Sequence, residues 1–270
     1  MQRSKQILRY AGLALHPADI FNLAIMGYAH GHPFHSQDLP SRIGRRFFPT
    51  LIVRPAYLGG ARIELDPSNL SHMVIFDWIV LEKEYNLQAV PFTPRVIIDC
   101  GAHIGFFSVL AARTYPRTRI VAFEPNPENA KFLKRQIALN KVNGEAVEAA
   151  VSTREGKGWF YSGCSFEGRL ETGSKCSKEG YPVKTVNLPR LIKEINSDFL
   201  LLKIDIEGEE ISLIPALIPH LPARCAIFFE SHTGDEGWHR IVASLEAGGF
   251  KTEERRRSGR FINGFALKKP

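Results

Sequence analysis

The chain has 270 residues, 44% of them hydrophobic, enough to bury one large core with a smaller appendage, which excludes a disordered or low-complexity class. Its formal charge is +7, but residues 251–270 hold seven Lys and Arg against two Glu and supply +5 of it. The excess is local, unlike the broad basic surface with interleaved aromatics that tracks a nucleic acid, and reads as a solvated turn between two closing strands.

Residues 1 to about 60 carry the weakest pattern. Pro17 sits where a first helical turn tolerates it, with Ile20, Leu23 and Met26 following and Gly27 or Gly31 placed to end the helix. His16, His30, His32 and His35 have no carboxylate or cysteine at ligand spacing and read as loop histidines. Leu51 to Leu65 alternates around Gly59-Gly60 as a hairpin does, and Asp66-Pro67-Ser68-Asn69 gives a turn and a cap before Leu70, Val74, Ile75 and Ile79. No apolar run is long enough for a signal peptide or a membrane span. Cys100, Cys164, Cys176 and Cys225 show no C-x-x-C spacing, so they read as small hydrophobes of a reducing compartment, and a cytoplasmic location is expected.

From Arg95 onward strand and helix patterns alternate, which calls for a mostly parallel sheet covered on both faces. Expected strands are Val96–Asp99, Ile120–Glu124, Glu145–Val151, Phe199–Asp205 and Cys225–Glu230, with closing strands near Lys251–Glu254 and Phe261–Leu267. Expected helices are Ile104–Thr114, Glu128–Asn140, Leu188–Ile195, Glu209–Ile218 and Glu236–Ala247. Ser152 to Val186 breaks the alternation with Gly, Ser, Trp159, Phe160, Tyr161, Phe166 and Arg169; it reads as a surface excursion with a hairpin near Lys157–Ser162, or as a cover for the substrate.

Arg95 to Gly105 is a buried strand, a tight turn and a helix start, the junction where Gly101 lets backbone approach a ligand and helix N–H groups point at it. Its spacing, Asp99-x-Gly101-x-x-x-Gly105, lacks the Gly-Lys-Ser/Thr of a phosphate loop and the G-x-G-x-x-G of a dinucleotide turn. With Glu124 ending the next strand it resembles the S-adenosylmethionine site of Rossmann-like methyltransferases. Polar residues also end the later strands: Asp205 and Glu207 follow one, Glu230 and His232 the next, and residues two apart on extended chain share a face. Glu207, Glu209 and Glu210 also fit a helix start, where carboxylates are favoured whatever their function.

Asp99-Cys100-Gly101-Ala102-His103-Ile104-Gly105, Ala122-Phe123-Glu124-Pro125-Asn126-Pro127, Lys203-Ile204-Asp205-Ile206-Glu207-Gly208-Glu209-Glu210 and Glu230-Ser231-His232 together resemble the FkbM family of S-adenosylmethionine-dependent methyltransferases over about residues 95 to 267. The resemblance implies an α/β, Rossmann-like class I methyltransferase fold, a seven-stranded mostly parallel sheet with an antiparallel closing strand, over residues 93–270, and leaves 1–92 as an N-terminal cap region. It implies O-methyl transfer to a hydroxyl of a small molecule or glycan. Ribose methylation of RNA and a non-catalytic binding protein of the same fold are the alternatives; nucleic acid is disfavoured because Asp205-Ile206-Glu207-Gly208 is not the Asp/Asn-Pro-Pro-aromatic that grips a base amine.

By the same resemblance Asp99, Gly101 and Gly105 bound the methionine and ribose of the cofactor, Glu124 holds the ribose, and Asn126 and the backbone near Ala150 border the adenine. His103 departs from the family turn, which usually has Asn there, and brings a bulkier group able to carry charge. An alcohol must lose its proton as attack develops; His232 is the expected general base with Glu230 orienting it, Asp205 the competitor, and Glu207 a ligand for substrate hydroxyls. No metal is assigned, a divalent ion shared by Asp205, Glu207 and Glu230 being the lesser alternative.

Overall fold

The structure is a computed structural model that describes residues 2–14, 16–31, 49–162, 168–171 and 180–268. The chain opens with helices α1 (Gln2–Ala11) and α2 (Pro17–Gly31), then a hairpin of β1 (Leu51–Val53) and β2 (Ile63–Leu65). Helix α3 (Leu70–Phe76) starts on Asn69, whose side chain accepts the Ser71 N–H as an N-cap. Helix α1 has no counterpart in the sequence expectation. The side chains of His30, His32 and His35, of Cys164 and Cys176, and of Phe166 and Arg169 lie outside the described residues.

The main unit follows as β3 (Val96–Cys100), α4 (Phe106–Thr114), β4 (Arg119–Phe123), α5 (Pro127–Leu139), β5 (Gly144–Val147), then β6 (Ala150–Ser152), β7 (Gly156–Ser162), β8 (Gly168–Glu171) and β9 (Tyr181–Asn187). After these come α6 (Leu188–Ile195), β10 (Phe199–Ile204), α7 (Glu210–Leu217), β11 (Arg224–Ser231), α8 (Gly234–Ala247), β12 (Phe250–Ser258) and β13 (Phe261–Lys268). Seven strands form one sheet in the order β12-β13-β11-β10-β3-β4-β5, with β13 antiparallel to both its neighbours. This is the expected Rossmann-like class I layout. Its strand order reverses between β3 and β10, where the carboxyl ends of adjacent parallel strands open a crevice.

The period of two along the buried strands sorts the core into two layers. Ile97, Leu201, Ala226 and Phe228 face α4 and the N-terminal segment, with Tyr10, Leu23, Met26, Phe76, Phe106 and Phe107. Ile98, Leu202, Ile227 and Phe229 face the other way, onto Ile192 of α6, Leu213 and Leu217 of α7, and Trp238 and Ile241 of α8.

Three expectations are corrected. The strand expected over Glu145–Val151 is two: β5 closes the main sheet, whereas β6 pairs with β9 in a second, four-stranded sheet ordered β6-β9-β7-β8. The excursion is therefore a small sheet, stabilised by Ala150, Phe160 and Val183 with Tyr181 packed against them. Finally, Arg255, Arg256 and Arg257 are not in a turn but on the edge strand β12, which runs to Ser258 and shifts register between Glu254 and Arg256. The edge tolerates them because each finds a partner: Arg255 lies over the Phe265 ring at 4.6 Å, Arg256 over Trp78 at 5.3 Å and on Glu82 at 2.7 Å, and Arg257 on Glu254 and Asp235.

Candidate active site

The turn after β3 is built by close approach. Gly101 has φ +75°, and a Cβ on it would stand 1.8 Å from the Asp205 carbonyl oxygen. Gly105 has φ +94° and would put a Cβ 2.8 Å from Leu133 of α5. Both glycines are thus required by packing of the turn against β10 and α5, a constraint independent of any ligand. Gly101 and Ala102 donate their N–H groups to the Phe123 carbonyl, which ties the turn to the end of β4.

Glu124 is the anchor of this side. Its carboxylate accepts the His103 N–H at 2.8 Å and the Asn126 N–H at 2.9 Å. Burial pushes its pKa up to about 7 against those two backbone bonds. Asn126 in turn caps α5 by accepting from the Glu128 and Asn129 N–H groups. His103 adopts φ +52°, and its Nε2 lies 2.9 Å from Ser71 Oγ of α3, with the His72 ring edge-on at 5.5 Å. The charge that His103 is able to carry is disfavoured here: burial first, then His72 and Lys203, hold its pKa well below the ordinary value.

Asp99 ends β3 with its side chain fully buried; Ser108 Oγ donates to its Oδ2 at 2.7 Å. Its Oδ1, together with His103 Nδ1 and the Tyr181 hydroxyl, is buried with no hydrogen-bond partner. Tyr181, on β9 of the small sheet and packed against Ala150 and Phe160, has its pKa raised to about 12 by burial and then by the Glu124 charge.

Across Gly101 stands a second cluster. Lys203 of β10 is the pivot between the two: Nζ donates to the Gly101 carbonyl at 2.5 Å and lies 3.2 Å from Asp205 and 3.7 Å from Asp99. Burial opposes its charge, yet Asp205 and Asp99 raise its pKa and keep it protonated. His232, just past β11, points Nε2 at Glu207, Asp205 and Glu230 at 3.3, 3.5 and 3.7 Å. All four residues of the expected acceptor site are therefore brought together. Burial, then Asp205, pushes Glu230 up to about 9, with His232 pulling it back.

The orienting role expected of Glu230 belongs in the geometry to Glu210. This fully buried carboxylate accepts the His232 backbone N–H at 2.9 Å, lies 3.1 Å from ring Nδ1, and takes the Gly208 N–H at 2.7 Å. Burial pushes the His232 pKa down, but the Glu210 bond and the charges of Asp205, Glu210 and Glu207 outweigh it and raise it to about 10. The Glu210 contact and the surrounding carboxylates favour the imidazolium, which works against the expected role of His232 as general base. Glu84, from the N-terminal segment, joins the cluster: burial and then Asp205 raise its pKa to about 7, and the Asn263 amide of β13 donates to it. Sequence reasoning assigned no role to Glu84, Lys203, Glu210 or Tyr181. Only Lys203 carried a signal, as a lone charge inside an apolar strand.

A model of the methyltransferase FkbM domain matches residues 99–259. The chain belongs to the FkbM methyltransferase family. It is 38% identical over 73 residues to methyltransferase sdnD of Sordaria araneosa, 27% of this chain and 28% of that protein. It is 27% identical over 161 residues to methyltransferase 1 of Beauveria bassiana, 52% of this chain and 64% of that one. It is 26% identical over 205 residues to the 31-O-demethyl-FK506 methyltransferase FkbM of Streptomyces tacrolimicus, covering 64% of this chain and 79% of that protein. The matches span less than two thirds of the length of the first two relatives. No helix among the described residues is long and apolar enough to cross a membrane.

Proposed function

We propose that this FkbM-family chain is an S-adenosylmethionine-dependent O-methyltransferase acting on a hydroxyl of a small molecule or glycan. The observation that carries the reading is the placement of two unlike clusters on either side of Gly101, at the point where strand order reverses, joined by Lys203. One is a buried carboxylate set among three unpaired polar atoms; the other is a convergence of acids and an imidazole.

The first cluster fits the cofactor. Glu124 has acceptor capacity for the two ribose hydroxyls, and Asp99 Oδ1, His103 Nδ1 and the Tyr181 hydroxyl are buried groups that a hydroxyl- and amine-bearing ligand satisfies. Asn126 and Ala150 border the adenine, with Tyr181 and Phe160 of the small sheet covering it. Bound there, S-adenosylmethionine supplies a methyl group on a sulfonium sulfur. The second cluster receives the acceptor: its oxygen forms the new C–O bond as the C–S electron pair stays on sulfur, and the hydroxyl proton passes to the Asp205 carboxylate. The described residues of the N-terminal region cap this cleft, since Ser71 touches the turn through His103 and Glu84 lies in the field of Asp205.

Calorimetry with S-adenosylmethionine tests the first half and product mass spectrometry with a panel of hydroxylated acceptors the second. No binding at about millimolar cofactor removes the enzyme reading, whereas binding without turnover favours a binding protein of the same fold. Tight RNA binding that collapses with added salt moves the substrate to a ribose hydroxyl of RNA.

A further inference from the structure

We propose that Asp205, Glu207 and His232 hold a divalent cation at the acceptor end of the cleft, an inference that rests on the reading of this cluster as the acceptor site. One ligand atom from each of these residues lies within 4.8 Å of the others. His232 Nε2 is 3.3 Å from Glu207 Oε2 and 3.5 Å from Asp205 Oδ1. Ligands at right angles around an ion with bonds of about 2.1 Å stand roughly 3 Å apart and opposed ones roughly 4 Å, a range in which both His232 separations fall.

Two features outside the acid count point to an ion. The first is the spacing itself: three carboxylates face the one nitrogen at 3.3, 3.5 and 3.7 Å, separations that co-ligands around a shared centre show. The second is the arrangement behind the ring. Metal-ligating histidines hand their other nitrogen to a carboxylate or carbonyl that sets tautomer and aim, and Glu210, with no exposed surface, does this at Nδ1 while also holding the His232 and Gly208 N–H groups. Glu207 is meanwhile held at φ +59°, a left-handed conformation unusual for a glutamate, in the loop that turns its carboxylate toward His232.

The cation also answers the local charge. Asp205, Glu207, Glu210, Glu230 and Glu84 converge against Lys203 and one imidazole. Two carboxylates and one imidazole suit a first-row divalent ion such as Mn²⁺ better than Mg²⁺, which prefers an all-oxygen shell. Three protein ligands would leave room on the cation for the acceptor hydroxyl. A cation held there would lower the pKa of the acceptor hydroxyl, whose proton would leave to water as the oxygen takes the methyl group and the C–S pair stays on sulfur. Asp205 and His232 are then ligands rather than bases.

The test uses the full chain stripped with chelator, titrated with Mn²⁺ and followed by calorimetry and by the loss of the free-ion EPR signal. One Mn²⁺ per chain is expected. Glu207→Gln and His232→Ala should each weaken binding about tenfold or more with S-adenosylmethionine binding retained, and Glu207→Gln, which keeps the imidazole on Glu210, should also keep the thermal melt. No binding at about 1 mM Mn²⁺, or binding unchanged in the soluble Glu207→Gln variant, overturns the site. The two readings fail separately: cofactor binding without Mn²⁺ removes only the cation, and Mn²⁺ binding without cofactor removes the methyltransferase reading beneath it.

Discussion

Replacing Glu210 by Gln probes what holds His232. The amide keeps the size of the side chain and can still accept one N–H, but it removes a fully buried charge that two His232 N–H groups face. In the native protein burial lowers the His232 pKa, and the Glu210 bond with the fields of Asp205, Glu210 and Glu207 overcomes this and raises it from 6.5 to about 10. The folded state therefore grips this proton more tightly than the unfolded chain. The resulting stabilisation is fully present below pH 6.5 and is lost as pH rises through about 10. Within that window each pH unit is worth about 1.4 kcal/mol, so this one group makes stability fall by on the order of 3 kcal/mol between about pH 7 and 9. Glu210 supplies two of the raising causes, so the variant should lose about half of that slope or more. Urea unfolding across this range in chelator, with the imidazole followed by NMR, gives both numbers. Glu230, Glu124 and Glu84, whose raised pKa values also make stability fall with pH, are present in both proteins, and because the His232 charge acts on Glu230 the imidazole titration followed by NMR assigns the slope difference to His232. An unchanged slope, or a ring titrating where the native one does, would refute the assignment of Glu210 as its support.

Glu124→Ala should weaken S-adenosylmethionine binding about 10- to 100-fold, the worth of charge-assisted bonds to the ribose, and calorimetry showing an unchanged affinity would return the ribose to another residue. Because the Glu124 pKa is raised to about 7, cofactor affinity should increase as pH rises through that value and the stronger, ionised acceptor forms; a flat profile between about pH 6 and 8 counts against it. Gly101→Ala should cost about 3 kcal/mol or more, or leave the chain insoluble, since its Cβ meets the Asp205 carbonyl at 1.8 Å in a left-handed backbone; a native-like melt would show that the turn can move. Tyr181→Phe should leave the thermal melt unchanged, because the hydroxyl has no partner to lose, while raising the cofactor Kd a few-fold. An unchanged Kd removes Tyr181 from the cofactor wall.

What was legible in the sequence was what a short stretch determines by itself. Val96–Cys100, Phe199–Ile204 and Arg224–Ser231 are buried on both faces, so their apolar runs announce parallel strands, and the acids that follow mark the ligand-facing ends. Glu210 was hidden for the opposite reason: an acid in the first turn of a helix satisfies a local rule, and nothing near it tells that its partner is a histidine 22 residues away. Glu84 is farther still, joined to Asn263 across 179 residues. The second sheet shows the same limit at the level of the fold. Gly144–Val147 and Ala150–Ser152 form one continuous apolar-rich run with no Pro or Gly between them, and only their partners separate them, Phe123 of β4 for Val147 and Thr185 of β9 for Ala150. That division carries the chain off the main sheet beside the adenine end of the proposed cofactor site. It is what brings Tyr181, the first residue of β9, within the electrostatic reach of Glu124. Half of the proposed cofactor wall is thus set by pairing over more than 30 residues, which no local pattern encodes, while the other half, from Asp99 to Glu124, lies in two consecutive strand ends and the turns after them.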